Sequence, residues 1–209
     1  MRRDESDAAR EPAHPTRTAP LRTRLPDHIE AEGQMLKLWR PDDESVLSAL
    51  VAQNISHLRP FMKWAATEPI PAEDRLALLE RWDAEWLAGT GASYKVPDDR
   101  GDPCGVVSLF RSAGPQQIEI GYWVASRETG KGRITRAASA LTVTAFDHPE
   151  IDTVVIAHDA ANAASQAVPA RLGYARRRAA SRTPEASAEA GVIVQWEAGR
   201  WWRPPAGVH

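Results

Sequence analysis

The sequence predicts an α/β fold in which one mixed, mostly antiparallel central sheet is flanked by about four helices. Three observations lead to this prediction. The hydrophobic residues follow strand-like and helix-like periods in turn along the chain. In the middle of the chain, three strand-like runs follow one another across short turns, and after them helix-like and strand-like runs alternate again. Strands joined by short turns pair antiparallel. The predicted order β-α-α-β-β-β-α-β-α-β-β therefore gives a single sheet with helices packed on it.

The first strand and the first two helices are predicted in the N-terminal half of the chain. Residues 35–39 alternate in hydrophobicity, which is typical of a strand, and Pro41 then begins a helix whose apolar positions recur through Val51. A second helical pattern covers Ala72–Leu87 and ends at Gly89, a residue type that is common just after a helix.

The remaining elements are predicted from the same two periods. Strands are expected at 93–96, 104–110, Gln117–Val124, 153–158, 174–178 and 191–197, and helices at Arg133–Phe146 and 163–172. The segments PDDRGDP and SAGPQ are turn-forming, so they favour short connections between the first three of these strands. Residues 180–190 are expected to form a loop.

Length and composition predict one folded domain. A chain of 209 residues with 43% hydrophobic residues has enough apolar side chains for one sizeable core. Residues 1–26 are charged and rich in proline, so we expect them to form a disordered N-terminal tail. The domain is expected to cover 27–198, and 199–209 are expected to form a C-terminal tail.

Charge and cysteine content argue against several classes of protein. The formal net charge of −2 gives no overall attraction for nucleic acid. Cys104 is the only cysteine, which excludes an intramolecular disulfide and a zinc–cysteine cluster and favours a reducing compartment. We expect its side chain to be a small buried hydrophobe. No apolar run approaches the roughly 20 residues of a membrane span, so we expect a cytoplasmic protein without membrane contact.

A glycine-rich junction, SRETGKGRIT at 126–135, lies between the strand-like run IEIGYWV and the helix-like run RAASALTVTAF. Backbone N–H groups at the start of a helix have no intrahelical acceptor and lie at the positive end of the helix dipole, which suits a phosphate. Taken alone, Gly130 and Gly132 indicate a simple turn at least as strongly as a phosphate site.

Two blocks of the sequence resemble the signatures of one family. The pattern Arg127-x-x-Gly130-x-Gly132 resembles the Arg/Gln-x-x-Gly-x-Gly/Ala signature of the GNAT N-acetyltransferases, and NAASQAVPARLGY at 162–174 resembles their Asn-x-x-Ser segment that runs to Leu-Gly-Phe. With EIGYW and HLRPFMKW, residues 34–196 look like the ribosomal-protein N-terminal acetyltransferase (RimJ/RimL-like) branch. The resemblance implies a GNAT-like fold, acetyl-CoA as the cofactor and no metal.

The resemblance also implies which residues bind the cofactor. Backbone N–H groups from about Thr129 to Ile134 would hold the pyrophosphate of coenzyme A, and the two glycines would let it approach the chain closely. The basic side chains of this segment either add positive charge to the phosphate site or are solvated loop residues; they are those of Arg127, Lys131 and Arg133. The expected cofactor-binding residues are Trp123, Val124, Arg127, Thr129, Gly130, Lys131, Gly132, Arg133, Ile134, Asn162 and Ser165.

Two catalytic residues are expected. Glu119 is the one acid in an apolar strand, so it is the leading general base, although it alternates with Ile118 and Ile120 and a solvent-facing position fits equally well. Two acids later in the chain, Glu185 and Glu189, are the alternative candidates for the general base. Ser165 is the expected acid, which assists departure of the thiolate.

The assignment of Ser165 depends on its place in the second matched block. Many members of the superfamily carry a tyrosine four residues further along, where this chain has Pro169. Ser165 falls on the serine position of the RimL-like branch. Its other reading is a first-turn helix residue after an Asn162 cap.

The acceptor pocket is the least defined part of the prediction. The segment HLRPFMKW corresponds to the one that lines the acceptor pocket in the family. Its expected pocket residues, which could instead pack in the core, are His57, Phe61, Met62 and Trp64. Three tryptophans near the end of the chain are expected either to cover the cleft or to contact a second copy of the chain in a homodimer. They are Trp196, Trp201 and Trp202.

The predicted reaction is direct acetyl transfer from acetyl-CoA to a primary amine. That amine is the α-amine of a protein or peptide, or the amine of a small molecule. The alternatives are an antibiotic- or metabolite-modifying acetyltransferase of the self-resistance type, and a non-catalytic acyl-CoA-binding module.

Overall fold

The computed structural model describes residues 20–112, 114 and 116–205. Its strands are β1 (His28–Ala31), β2 (Gln34–Leu38), β3 (Gly91–Pro97), β4 (Pro103–Arg111), β5 (Gln117–Val124), β6 (Thr153–Asp159), β7 (Ala175–Ser181) and β8 (Val192–Gly199). Its α-helices are α1 (Glu44–Leu58), α2 (Ala72–Leu87), α3 (Arg133–Phe146) and α4 (Ala163–Arg171). Short 3-10 helices cover Pro41–Asp43, Lys63–Thr67 and Ser126–Glu128. Among the described residues, every helix is too short or too polar to cross a lipid bilayer.

The eight strands of the described residues form one sheet in the order β1-β2-β3-β4-β5-β6-β8-β7. Only β5 and β6 pair in parallel, and every other neighbouring pair is antiparallel. The predicted fold class is therefore confirmed. The largest fully buried side chains include Trp39, Tyr94, Leu109 and Ile120, so the core lies along the central strands.

Strand β1 was not predicted from the sequence. It forms a hairpin with β2 across Glu32 and Gly33, which both have positive φ (47° and 77°), as the tight turns that match the twist of a hairpin require. In β1 only Ile29 and Ala31 are buried, and two buried residues give too short an alternation to indicate a strand.

The packed part of the chain is longer than the predicted 27–198. Leu21 and Leu25 are buried in the core, and Leu21 N–H donates to the carbonyl of Gly89 at 2.8 Å. At the other end, Trp202 is buried and its indole N–H donates to the carbonyl of Leu172. Apolar side chains in both predicted tails thus extend the fold, while 1–19 and 206–209 lie outside the described residues.

Strands β5 and β6 separate after a short paired stretch. Their parallel pairing runs only from Gln117 opposite Thr153 to Glu119 opposite Val155. On its other side, β5 remains paired with β4 up to Val124, and β6 remains paired with β8 up to Asp159. A gap therefore opens between residues 120–124 and the end of β6, where no described strand pairs with this edge of β5.

Candidate active site

The glycine-rich junction folds as a turn that presents the start of α3. Gly130 and Gly132 have φ values of 79° and 75°, which favour glycine. Arg136 N–H is the first to donate to a helical carbonyl, that of Gly132, so the N–H groups of residues 133–135 have no intrahelical acceptor. Within the described part of the chain, Gly130, Lys131 and Gly132 N–H groups also donate to no protein acceptor. Thr129 differs from the prediction, because its N–H donates to the carbonyl of Ser126.

Two of the three basic side chains of the turn are held by a buried acid, Glu128. Lys131 Nζ lies 2.9 Å and Arg133 Nε 2.5 Å from its carboxylate. Hydrogen bonds from Lys131, and then from Arg133, keep the pKa of Glu128 low. The Arg133 guanidinium, which is almost fully buried, also pairs with Asp99 at 2.8 Å. Its side chain therefore stabilises the turn. Sequence reasoning did not single out Glu128.

Asn54 fixes the start of the same turn from α1. Its buried side-chain oxygen accepts a hydrogen bond from Ser126 N–H at 2.9 Å, and its amide donates to the carbonyl of Leu50. The partners are 72 residues apart, so no local sequence pattern indicated this contact. It ties the junction after β5 to helix α1.

A cavity of about 360 Å³ opens in front of the turn, and we call it the glycine-turn cavity. Thr129, Gly130, Gly132 and residues 133–135 line it on one side. The other sides of the cavity are lined by Trp123 and Val124 at the end of β5, by Asn162 just before α4, and by Ser165 within α4. The structure thus brings together most of the predicted cofactor residues. Arg127 and Lys131 do not line this cavity. Arg127 is exposed and lies 4.0 Å from Glu128, with which Lys131 also pairs.

A second cavity of about 390 Å³ lies on the other side of the β5–β6 gap, and we call it the Glu119 cavity. It has an aromatic wall made of six Phe, Trp and Tyr side chains: Phe61, Trp64, Trp82, Phe110, Tyr122 and Trp123. The two cavities share six lining residues, which are Phe61, Met62, Tyr122, Trp123, Asn162 and Ser165. They therefore meet at the point where β5 and β6 separate.

Glu119 lines the second cavity and has no charged partner. Among the described residues none forms a hydrogen bond or an ion pair with its carboxylate. Burial raises the pKa of Glu119 to about 7, because desolvation disfavours the charged form. A carboxylate with this pKa is half ionised near neutral pH and is suited to accept a proton.

The alternative acids, Glu185 and Glu189, are both occupied by other groups. Glu185 lies 2.9 Å from Lys63 Nζ and 2.6 Å from Arg182, and the hydrogen bond from Lys63 is the main cause of its lowered pKa. Glu189 binds Arg182 at 2.5 Å and accepts from the backbone N–H of Glu185. These contacts hold the 182–191 loop at the edge of the Glu119 cavity. Of the three candidate acids, Glu119 is thus the one without a partner among the described residues.

Ser165 lies in the first turn of α4 beside a tyrosine from β5. Asn162 caps the helix by accepting a hydrogen bond from Ser165 N–H at 3.0 Å, as its cap role predicted. The Ser165 hydroxyl donates to the phenol oxygen of Tyr122 at 3.1 Å. Tyr122 was not proposed as a site residue, because its partner lies 43 residues further along the chain.

The predicted acceptor residues divide between the two cavities. Phe61 and Met62 line both, and Trp64 lines the Glu119 cavity, with its ring 6.2 Å from that of Trp123. His57 was expected on the acceptor side, but it lines the glycine-turn cavity. Helix α1 places it there, one residue before the buried Leu58.

The C-terminal tryptophans do not cover the cleft. Trp196 is buried and donates to His158 Nε2 at 2.9 Å, and Trp202 packs edge-on against Tyr174. Trp201 is exposed, and the homodimer stays a prediction. Cys104 is fully buried, and burial raises the pKa of its thiol to about 11, so it remains a neutral thiol.

The comparison with protein families gives one match, to the acetyltransferase (GNAT) domain, over residues 35–175. The chain is also 31% identical over 140 residues to YdaF, a Bacillus subtilis (strain 168) protein named as a ribosomal N-acetyltransferase, covering 66% of this chain and 76% of the relative. The chain therefore belongs to the GNAT family. It is an N-acetyltransferase that uses acetyl-CoA.

Solved structures share the fold. A probable acetyltransferase is 27% identical with a TM-score of 0.75, covering 83% of this chain and 97% of its own. The ribosomal L7/L12 α-N-protein acetyltransferase RimL, in complex with coenzyme A, is 18% identical with a TM-score of 0.74, covering 82% and 97%. The microcin C7 self-immunity acetyltransferase MccE, with acetyl-CoA and AMP, is 20% identical with a TM-score of 0.75, covering 83% and 97%. At these last two identities the likeness shows the fold alone.

Proposed function

We propose that the enzyme acetylates the α-amine of a protein or peptide by direct transfer from acetyl-CoA across the β5–β6 gap. The observation that carries this proposal is the meeting of the two cavities at Tyr122, Trp123 and Ser165. Acetyl-CoA occupies the glycine-turn cavity, and the amine enters the Glu119 cavity. Both substrates then meet at one point, as direct attack requires.

The chain's own groups divide the binding of the cofactor. The free N–H groups of the turn and of α3 bind the pyrophosphate, and the helix dipole favours its charge. The unpaired edge of β5 near Trp123 and Val124 supplies backbone groups for the pantetheine arm and for the thioester oxygen. Glu128 and Asp99 together pair with Lys131 and Arg133, so the backbone carries most of the phosphate binding.

In the proposed transfer, Glu119 takes the proton of the amine as the nitrogen attacks the thioester carbon. The C–N bond forms, and the C–S bond breaks with its electron pair on sulfur. Ser165 donates a hydrogen bond to the departing thiolate, so the proton balance is completed at Glu119. Cys104 takes no part, because it is buried and does not line either cavity.

The pKa of the base favours an α-amine over a lysine. Protein α-amines have a pKa of roughly 7.7 to 8.0 and lysines of about 10.4, so at pH 7 about 10% of the former and about 0.04% of the latter are neutral. A base with a pKa of about 7 is close to the α-amine and far below lysine. YdaF, which is named for ribosomal N-acetylation, supports a protein acceptor.

A small-molecule amine is the second candidate acceptor. The aromatic wall of the Glu119 cavity favours it, since aromatic side chains offer a large apolar contact area to a small ligand. The buried single cysteine supports a reducing compartment, and a cytoplasmic location stays our prediction.

Two matched peptides test the proposed acceptor. One has a free N-terminus and no lysine, and the other has a blocked N-terminus and one lysine. We expect the first to be acetylated at least about 100-fold faster at pH 7, following the neutral fractions of the two amines, with the product identified by mass spectrometry. Faster acetylation of the lysine peptide would overturn the proposal. Acetylation of small amines with neither peptide modified would instead support the second candidate.

A further inference from the structure

Helix α4 contains a proline at a position that leaves one carbonyl without its helical partner. In an α-helix the N–H of residue i+4 donates to the carbonyl of residue i. Pro169 has no N–H and lies inside α4, four residues after Ser165. The Ser165 carbonyl therefore lacks the donor that any other residue at position 169 would supply.

Tyr122 supplies that missing donor from the neighbouring strand. Its phenol O–H donates to the Ser165 carbonyl at 2.9 Å. The same phenol oxygen accepts the hydrogen bond from the Ser165 hydroxyl at 3.1 Å. One tyrosine thus binds both the backbone and the side chain of a single serine.

This double contact fixes the direction in which Ser165 donates. A phenol has one proton, and here it is donated in the hydrogen bond to the Ser165 carbonyl. The Tyr122 oxygen therefore offers only lone pairs to the Ser165 hydroxyl. Ser165 must then be the donor in the pair. Burial raises the pKa of Tyr122 well above its ordinary value, so the phenol stays protonated in the working range of the enzyme.

The pair lies where the two cavities meet, since Tyr122 and Ser165 line both. We propose that Tyr122 is a positioning residue that holds the Ser165 hydroxyl beside the departing sulfur, and that Pro169 makes this possible by freeing the Ser165 carbonyl. The single hydroxyl proton is bonded to Tyr122 at rest and turns to the sulfur as the thiolate, a stronger acceptor, forms. This inference rests on the proposed function, in which Ser165 stabilises the thiolate.

The contact from Tyr122 also explains why the proline is tolerated in a short helix. A proline in a helix interior removes a hydrogen bond, and an unsatisfied buried carbonyl is costly. The phenol replaces the lost bond from outside the helix. Tyr122 and Pro169 therefore form a matched pair, although they lie on different elements.

Four variants test the proposal: Tyr122→Phe, Ser165→Ala, their combination, and Tyr122→Phe with Pro169→Ala. We expect Tyr122→Phe to lower kcat about tenfold or more while the KM for acetyl-CoA changes less than about twofold, as for loss of an interaction made in the transition state. Because Tyr122 acts through Ser165, adding Tyr122→Phe to Ser165→Ala is expected to cause no further loss in kcat.

Adding Pro169→Ala separates a structural role from positioning. Alanine restores an N–H for the Ser165 carbonyl, so we expect it to recover the few degrees of Tm, about 2–4 °C, that Tyr122→Phe loses. The lost kcat is not expected to return, since the serine hydroxyl still lacks the phenol that positions it. Tyr174→Phe is the matched control. It removes another buried phenol hydroxyl, bonded to Thr142, which lines neither cavity, and it should leave kcat unchanged.

The outcomes separate this inference from the function on which it rests. If Ser165→Ala leaves kcat unchanged, the proposed role of Ser165 is wrong. If Ser165→Ala lowers kcat but Tyr122→Phe does not, only the positioning role of Tyr122 is overturned. Joint recovery of Tm and kcat in the Tyr122→Phe, Pro169→Ala variant would likewise show a purely structural tyrosine.

Discussion

Replacing Glu119 by glutamine should make the protein more stable at alkaline pH while making it a poorer enzyme. The carboxylate is partly exposed in the Glu119 cavity and has no partner among the described residues, and desolvation raises its pKa from the ordinary value of 4.5 to about 7. A pKa difference of this size corresponds to about 3 kcal/mol. This is the free energy that the folded protein loses when this group ionises.

The sign of the pH dependence follows from proton binding. Between pH 4.5 and about 7 the folded state keeps the Glu119 proton that the unfolded state releases, so the stability contribution is present at low pH and is lost as the pH rises. Glutamine has no proton to lose. The stability advantage of Glu119→Gln over the parent should therefore grow by about 2–3 kcal/mol between pH 5 and pH 8.

Urea unfolding of both proteins at pH 5 and pH 8 measures this difference. Glu30→Gln, which changes an exposed glutamate on strand β1, is the control and should show no such growth. An advantage for Glu119→Gln that stays constant between the two pH values would refute the burial argument. In the same variant, turnover should fall most near pH 7 and recover partly at pH 9, where more of the amine is already neutral.

Three further predictions concern the cofactor turn and the aromatic wall. Gly132→Asp should weaken acetyl-CoA binding, measured by calorimetry, at least about tenfold more than Gly132→Asn does. Aspartate and asparagine are similar in size and both tolerate positive φ, but only aspartate repels the pyrophosphate. Equal affinities would argue against a phosphate at the turn. Glu128→Gln should lower the free energy of unfolding by about 3 kcal/mol, since it leaves the buried Arg133 without its closest charge partner, and a loss below about 1 kcal/mol would show that Asp99 suffices. Trp64→Ala should raise the KM for the acceptor about tenfold with little change in that for acetyl-CoA, because Trp64 lines only the Glu119 cavity of the two; a rise confined to acetyl-CoA would reverse the assignment of the cavities.

Local patterns in the sequence predicted the parts of the site that depend on neighbouring residues. The glycine turn, the start of α3 and the Asn162 cap each need only a few consecutive residues, and the structure contains all three. Glu119 was identified because a single acid in an apolar strand is unusual. Whether it faced solvent or a cavity depended on what packs against β5, which periodicity alone does not specify.

Contacts between distant residues were not predicted. Tyr122 and Ser165 are 43 residues apart, and Ser126 and Asn54 are 72 apart, so each pair is brought together only by the sheet and its helices. The role of Pro169 shows the same limit. The sequence indicated a weakened helix, but the phenol that compensates for it belongs to another strand.

A bisubstrate compound tests the central claim, that both substrates meet across the β5–β6 gap, most directly. In this compound the sulfur of coenzyme A is joined through an acetyl bridge to the α-nitrogen of a short peptide. It should bind at least about 100-fold more tightly than coenzyme A, as expected when both cavities are filled at once, and should compete with acetyl-CoA and with the peptide. Binding no tighter than coenzyme A, or competition with acetyl-CoA alone, would contradict direct transfer between the two cavities.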